Sequence, residues 1–510
     1  MLQIRNLSIY HNKDLTPLVE SLSFSLREGE RAALIGEEGN GKTTLLRLLA
    51  GEEAGYVSVT GEITVTGARG YLPQELPMHE RAMTAYEFFC ECPVFFDQTP
   101  RELADFARRF GFPGDVFYSE QQMGSFSGGE RVKLQLCRLL MGKPGLLLLD
   151  EPSNDLDVAT VRWLEDFMAT CDIPTVFVSH DEALLEKAAN VIVHMERLRR
   201  RQVPRATVQR MGYAEFVKTR ASSMAHQEQV ARKEREELDK KMRRFDQIRS
   251  RVEHEQNAIS RQDPGGGRLL KKKMHAVMSM GRRFEREAQD MTDMPESEEA
   301  IFAKLTCKPQ PPCKVVLDVA LPELTVPGRV LARNLRLTVR AGEKVLITGR
   351  NGAGKSTLMR ALHEQLKARG DLNVFYMPQD PCDMLDMDKT PVEMLAVTWD
   401  KEETTQSRVE LGSMKFTPEE MDHPCRGLSG GQKAKLMFLM MAARKPDVLL
   451  LDEPTRNLSP LSGPVVRELF KAYPGCIVGI SHDRRFAQAA FDRVVELRED
   501  GIHDSTEFDD

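Results

Sequence analysis

"GEEGNGKTT" fills residues 36–44, and "GRNGAGKST" fills residues 349–357. Each loop follows a short apolar run ("RAALIG", "KVLITG") and leads into a helical pattern ("TTLLRLLAG", "STLMRALHEQL"). Strand, glycine loop and helix, in that order, form the setting that a GxxxxGK[ST] phosphate cradle requires. Gly36, Gly39 and Gly41, and again Gly349, Gly352 and Gly354, let backbone N–H groups turn toward a triphosphate at a helix N-terminus. Lys42 and Lys355 are placed to neutralise its β and γ oxygens. The Thr43 and Ser356 hydroxyls are placed to ligate magnesium, and Thr44 and Thr357 close the two nucleotide loops. A plain glycine turn would need neither the lysine nor the hydroxyl.

Three more motifs recur at one offset. "SGGERVKL" (127–134) returns as "SGGQKAKL" (429–436), "LLLLDEP" (146–152) as "VLLLDEP" (448–454), and "VSHDEALL" (178–185) as "ISHDRRFA" (480–487), each 302 residues later. The cradles are 313 apart; most of the difference lies before the next motif, since Lys42 to Gln74 spans 32 residues and Lys355 to Gln379 only 24. Ordered motifs at near-constant spacing mark a duplicated domain of about 200 residues. The "LLLLD", "PTVFVSH" and "GCIVGISH" runs predict buried strands of a parallel sheet, so the expected class is α/β, two P-loop domains in tandem. The expected boundaries are 1–198 for the first domain, 199–300 for a linker and 301–510 for the second.

Asp150 and Asp452 end their strands, where a carboxylate can hold magnesium directly or through water. Glu151 and Glu453 follow, placed to orient or deprotonate the attacking water. His180 and His482 can bridge the γ-phosphate and that water. Gln74 in "YLPQE" and Gln379 in "YMPQD" can sense magnesium and the γ-phosphate. Ser127-Gly128-Gly129 and Ser429-Gly430-Gly431 open helices and make a second anion-binding nest, too far along the chain to reach a nucleotide already wrapped by its own cradle.

Bulk properties narrow the class. The 510 residues are 41% hydrophobic and 29% charged, which fits two or three globular domains. No apolar run approaches the roughly 18 residues of a membrane span. The start, "MLQIRNLSIYHNKD", reads as no secretory leader. Nine cysteines are scattered, and the close pair Cys90 and Cys92 is neither a zinc ligand set nor a disulfide framework, which suits reduced thiols in a cytoplasmic protein. Net charge is -6, yet residues 199–290 hold 24 Lys+Arg against 13 Asp+Glu, a local +11 that leaves -17 for the rest. One polyanion-seeking segment lies between two acidic bodies.

The five motifs in order resemble the ATP-binding cassette ATPases in both copies. In that family two cassettes pack head to tail, with each ATP between one cradle and the opposite SGG signature. The resemblance therefore implies ATP and Mg2+ as cofactors and an ATPase with two composite sites. One joins Lys42, Asp150 and Glu151 to Ser429, Gly430 and Gly431; the other joins Lys355, Asp452 and Glu453 to Ser127, Gly128 and Gly129. Three departures predict unequal sites. Phe126 precedes the first signature where leucine is usual, Ser459 in "RNLSP" stands where the first copy has Asp157 in "SNDLD", and Tyr10 offers adenine an aromatic that "LPELTVPGR" lacks.

Between the copies, Leu238, Met242, Phe245, Arg249 and Val252 form one helical seam, and Leu270, Met274, Val277, Gly281, Phe284, Ala288 and Met291 another. "RQDPGGG" between them predicts a turn, hence an antiparallel hairpin of helices of about 25 to 35 residues. From Lys240 to Arg286 there are 14 Lys+Arg and 5 Asp+Glu. Arg249, Arg251, Arg261, Arg268, Lys271, Lys272 and Lys273 are the candidate RNA contacts near the tip, expected at about 250–270. With few aromatics there, phosphate and shape reading fit better than base stacking.

Two fused cassettes joined by such a hairpin are similar to the ABC-F family, and "MGYAEFVKTR" (211–220) keeps the Tyr213 and Arg220 of its linker entry. That resemblance implies a monomer, without membrane or obligate protein subunit, that binds the ribosome's tRNA exit site and rRNA, with its tip near peptidyl-site tRNA and release after hydrolysis. A spacing from Gln74 to Ser127 of 53 residues, against 50 in the second copy, leaves no sizeable arm. The end at Asp510 leaves no C-terminal coil. Both lean toward antibiotic-resistance members. A housekeeping stall-relief factor, the ATPase pair of a transporter, and a DNA-binding ATPase remain the alternatives.

Overall fold

The computed structural model describes residues 1–505 except 14, 155, 198–202, 259–263, 290, 293, 296–303, 309–310, 312–313, 327 and 397–399; the side chains of 256–258, 264–268, 270 and 289 are also outside it. The chain forms two compact units, Met1–Tyr213 with Glu298–Asp510, and Ala214–Ser297.

In the larger unit the sequence pattern is realised twice. The first six-stranded sheet runs in the order Arg69–Leu72, Leu146–Asp150, Thr175–Val178, Arg31–Ile35, Val191–Arg197, Val203–Gln209. All its neighbours are parallel save the last pair. The second sheet repeats that order as Val374–Met377, Val448–Asp452, Cys476–Ile480, Lys344–Thr348, Arg493–Arg498, Gly501–Ser505. Unbroken apolar runs make these strands because both faces are covered: Leu146, Leu147, Leu148 and Leu149 are wholly buried. Burial of each contributes roughly 1.5–3 kcal/mol before entropy is counted.

An antiparallel layer covers one face of each sheet, formed by Leu2–His11, Pro17–Leu26 and Val57–Val65 in the first cassette and by Val315–Val326 with Arg329–Arg340 in the second. Leu2, Ile4, Leu7 and Ile9 point into a core with Leu34, Leu45, Leu148 and Val176. The first of these strands had no reading from sequence. Its register shifts between Ile4 and Leu7 break the period-two alternation, and Asn6 there has φ 44°.

The smaller unit is a helical hairpin. Its helices are Tyr213–Ala258, 46 residues, and Pro264–Gln289, 26 residues. The first is longer than expected and runs about 70 Å at 1.5 Å per residue. Phe245, Val252 and Val277 form its core, with Met274 and Phe284 against it. Met242, Arg249 and Ala288, assigned to the seams, are exposed, and the Leu270 side chain lies outside the described residues. Glu234 accepts from the Thr292 N–H at 2.7 Å, Lys241 pairs with Glu287 at 2.8 Å, and Lys273 with Glu255 at 3.7 Å, which fixes an antiparallel register. A Cβ on Gly281 would lie 3.0 Å from the Phe245 ring, so glycine admits the aromatic there.

The "PGGG" segment corrects one expectation. It is the first turn of the second helix, not the turn between helices. Proline at the first helical position loses no hydrogen bond, because that N–H has no intrahelical acceptor. Residues 259–263, between the two helices, lie outside the described residues.

Candidate active site

Each cradle ends on a glycine in the left-handed region, Gly41 at φ 85° and Gly354 at φ 98°, which caps the helix beginning at Lys42 or Lys355. Gly36 and Gly349 serve the sheet as much as any ligand. A Cβ there would strike the Met195 carbonyl oxygen at 2.0 Å or that of Leu497 at 2.7 Å. Lys42 Nζ donates to the Gly36 and Glu37 carbonyls, both at 2.9 Å. Lys355 Nζ does the same to Gly349 at 2.7 Å and Arg350 at 3.2 Å. Burial lowers the pKa of both lysines against the pull of the nearby carboxylates. An incoming triphosphate would give each ammonium the anionic partner that backbone carbonyls supply only in part.

The acidic pairs sit at strand ends, where the sheet stops and the backbone turns. Glu151 and Glu453 have φ 50° and 52°, and their N–H groups donate to Val178 and Ile480 of the next strand. A left-handed non-glycine residue costs on the order of 1–2 kcal/mol, so both carboxylates are held in place against strain. Thr43 Oγ1 donates to Asp150 Oδ1 at 3.3 Å, while the buried Asp150 Oδ2 and Asp452 Oδ2 have no hydrogen-bond partner among the described residues. Burial, then the Glu151 charge, pushes the Asp150 carboxyl up to about 6; burial also raises Asp452. Orphaned carboxylate oxygens beside a hydroxyl form an oxygen donor set that fits a magnesium ion shared with phosphate.

The two histidines sit differently. His180 Nε2 is 2.9 Å from Glu151 Oε1, and its Nδ1 is 2.6 Å from the Leu458 carbonyl of the other cassette. His482 Nε2 is 3.6 Å from Glu453 Oε1, and its backbone N–H donates to Glu453 Oε2 at 3.1 Å. Burial would raise the Glu151 pKa, but the His180 ring and backbone together with the Lys42 charge outweigh it and hold the group below the usual glutamate value. At Glu453 burial prevails and pushes the carboxyl up to about 8.

Between the cassettes lie two cavities. The first, about 640 Å³, takes Gly39, Gly41, Lys42, Thr43, Thr44, Gln74, Glu151 and His180 from the first cassette, and Gln379, Arg456 and Asn457 from the second. The second, about 610 Å³, takes Gly352, Gly354, Lys355, Ser356, Thr357, Asp452, Glu453 and His482, with Gly128 and Arg131 from the opposite signature helix. Ser127 and Gly349 border an adjoining space of about 500 Å³. Gly129 packs on Thr160, where a Cβ would lie 2.5 Å from the hydroxyl. Ser429 caps its helix, and the Gly431 N–H donates to Glu38 Oε2 of the first cradle at 2.7 Å, with Gly430 against the same carboxylate.

Tyr10 does not line the first cavity; His11, Leu18 and Tyr56 do, with ring centroids of His11 and Tyr56 6.3 Å apart. Tyr10 sits one residue too early on an alternating strand, and Tyr56 lies outside any motif. In the second cavity the corresponding wall is aliphatic, Val326 and Leu331.

On the hairpin, Arg249, Arg251, Lys271, Lys272 and Lys273 are exposed; Arg249 lies 3.4 Å from Glu253. Arg261 and the Arg268 side chain lie outside the described residues.

A family model described as ABC transporter matches residues 19–154 and 332–456. The tylosin resistance ATP-binding protein TlrC of Streptomyces fradiae is 30% identical across 94% of this chain and 95% of its own. The chain belongs to the ABC-F family of ATP-binding cassette ATPases. ABC transporter F family member 5 of Arabidopsis thaliana is 25% identical across 96% of this ABC-F chain and 74% of its own. The ribosome protection protein VmlR of Bacillus subtilis is 27% identical across 97% and 86%. In fold, the chain is similar to the ABCE1 of a model of ribosome-bound archaeal Pelota and ABCE1, at TM-score 0.56 and 16% identity over 98% of this chain and 78% of that one. No helix among the described residues is long and apolar enough to cross a membrane.

Proposed function

We propose that this ABC-F ATPase is a cytoplasmic ribosome-binding factor of the antibiotic-protection type, entering the tRNA exit site and bringing its hairpin near peptidyl-site tRNA. The observation that carries this reading is the pairing of a basic hairpin with likeness along nearly the whole chain to proteins named for tylosin resistance and ribosome protection. The hairpin's +9 excess between Lys240 and Arg286 suits RNA phosphates.

In the proposed cycle Lys42 and Lys355 neutralise the β and γ phosphates, and the Thr43 and Ser356 hydroxyls with Asp150 and Asp452 would hold magnesium, which when bound would offset phosphate charge. Gln74 and Gln379, which line the first cavity, would be placed to sense that ion and the γ-phosphate. Glu151, steadied by His180, aims its free oxygen at the attacking water; Glu453 and His482 do so in the other site. The opposite signature, Ser429 to Gly431 or Ser127 to Gly129, closes over the γ-phosphate, so a single bound ATP touches both cassettes. Hydrolysis removes that bridge and frees the factor.

The test is co-sedimentation of the Glu151→Gln, Glu453→Gln double variant with ribosomes in ATP, alongside drug susceptibility of cells with and without the gene. Pelleting with ribosomes and loss of resistance in the gene-free cells support the reading. A variant left in the supernatant, captured instead by a membrane subunit or DNA, ends it. Pelleting with unchanged susceptibility favours a housekeeping stall-relief role.

A further inference from the structure

Away from the nucleotide cavities, a set of ion pairs between the cassettes, among the described residues, follows one rule of sign. Arg467 forks onto Glu182, Nη1 to Oε1 at 2.7 Å and Nη2 to Oε2 at 3.2 Å. Arg485 Nη1 adds a bond to Glu182 Oε2 at 2.9 Å and also reaches Glu186, while Arg484 pairs with Glu165. Every carboxylate in this set comes from the first cassette and every guanidinium from the second. Glu165 and Glu182 are only 4% and 6% exposed, so screening by solvent is slight. The same polarity holds beside the first cradle, where Glu37 pairs with the buried Lys435. One cation of the first cassette, Lys187, also approaches Glu165, at 3.4 Å.

The duplication explains why this matters. Under the 302-residue offset, Glu165 corresponds to Arg467 and Glu182 to Arg484. The bonds Arg467–Glu182 and Arg484–Glu165 are therefore one contact made twice, related by the pseudo-twofold axis of the cassette pair. Two first cassettes meeting in this geometry would set Glu165 against Glu182 twice. Two second cassettes would set Arg467 against Arg484 twice. Buried like charges repel strongly, whereas the pairing found here satisfies all four groups.

We propose that these positions form a charge code selecting the cassette's partner: a first cassette accepts a second cassette and rejects a copy of itself. Pairing is thereby directed to the other half of the same chain and away from the like half of another. This inference concerns cassette pairing alone and does not depend on ribosome binding.

The experiment uses full-length chains in an Arg485→Ala background, so that only the equivalent positions vary. An all-basic chain carries Glu165→Arg and Glu182→Arg; an all-acidic chain carries Arg467→Glu and Arg484→Glu; an exchanged chain carries all four. Magnesium-ATP hydrolysis, which needs both halves of each composite site, is the readout, with thermal melting as the folding control. The all-basic and all-acidic chains are expected to fall at least about tenfold, and the exchanged chain to return within about threefold of the background. A cooperatively melting exchanged chain whose loss equals the product of the two partial losses overturns the code. Should the fourfold exchange fail to melt cooperatively, Glu165→Arg with Arg484→Glu alone meets the same criterion: recovery over either single change supports it, additive loss overturns it.

Discussion

One oxygen of Glu151 rests on His180 and the other is buried with no hydrogen-bond partner among the described residues, so a change that keeps its shape isolates its charge. Glu151→Gln is expected to cut hydrolysis at that site by about a hundred- to ten-thousand-fold while nucleotide still binds, read by single-turnover phosphate release and a binding titration. Asp181 offers a pH test. Burial, with the Asp483 charge adding to it, pushes its carboxyl up to about 6 although it accepts from the Ala183 and Leu184 N–H groups and lies near Arg484. An acid whose folded pKa is raised favours the folded state when protonated, and that advantage fades as pH climbs from about 4 through 6. Asp181→Asn, which keeps a capping oxygen, should therefore stabilise the chain by roughly 1–3 kcal/mol at pH 8 and by nothing near pH 3.5. Urea unfolding at the two pH values checks this. Motif residues were legible at this scale because chemistry restricts their types. Glu38 and Tyr56 were not, since only folding brings one to Gly431 and the other to the cavity beside His11.

Among elements, the hairpin depends on few contacts. Phe245, 6% exposed, meets Val252 and Val277 in its core and stands edge-on to Phe284 at 6.1 Å. Phe245→Ala should cost the hairpin about 3 kcal/mol. Faster hydrogen exchange in 238–284, with the two sheets unchanged, is the expected signature; uniform protection would mean that the ion pairs alone hold the helices. Seams at steps of three and four were readable in the sequence, as were the strands closed by "LLLLD". The helix beginning at Pro264 was not, because proline and glycine penalise a helix interior far more than its first turn. The bulged first strand escaped for a related reason: one left-handed Asn6 shifts every later side chain to the opposite face.

For the molecule as a whole, charge is divided by region, basic on the hairpin and acidic elsewhere. Lys271, Lys272 and Lys273 are exposed in a row on its second helix. Reversing all three to glutamate should weaken ribosome binding and lower the slope of log affinity against log salt by up to about three, with ATP hydrolysis by the free chain unchanged. An unaltered slope would leave those lysines as solvating charges only. Domain duplication was open to a reader of the sequence, since motif offsets survive any folding. The matching of Glu165 to Arg484 and Glu182 to Arg467 was written there too, but only the paired cassettes show that these letters face each other.

Gln379 and Arg456 border both nucleotide cavities. The two chambers thus share a party wall, and whatever leans on it from one room is felt in the next. A substitution at Arg456 should consequently move two binding isotherms at once, so that neither nucleotide's affinity is a private property of its own half.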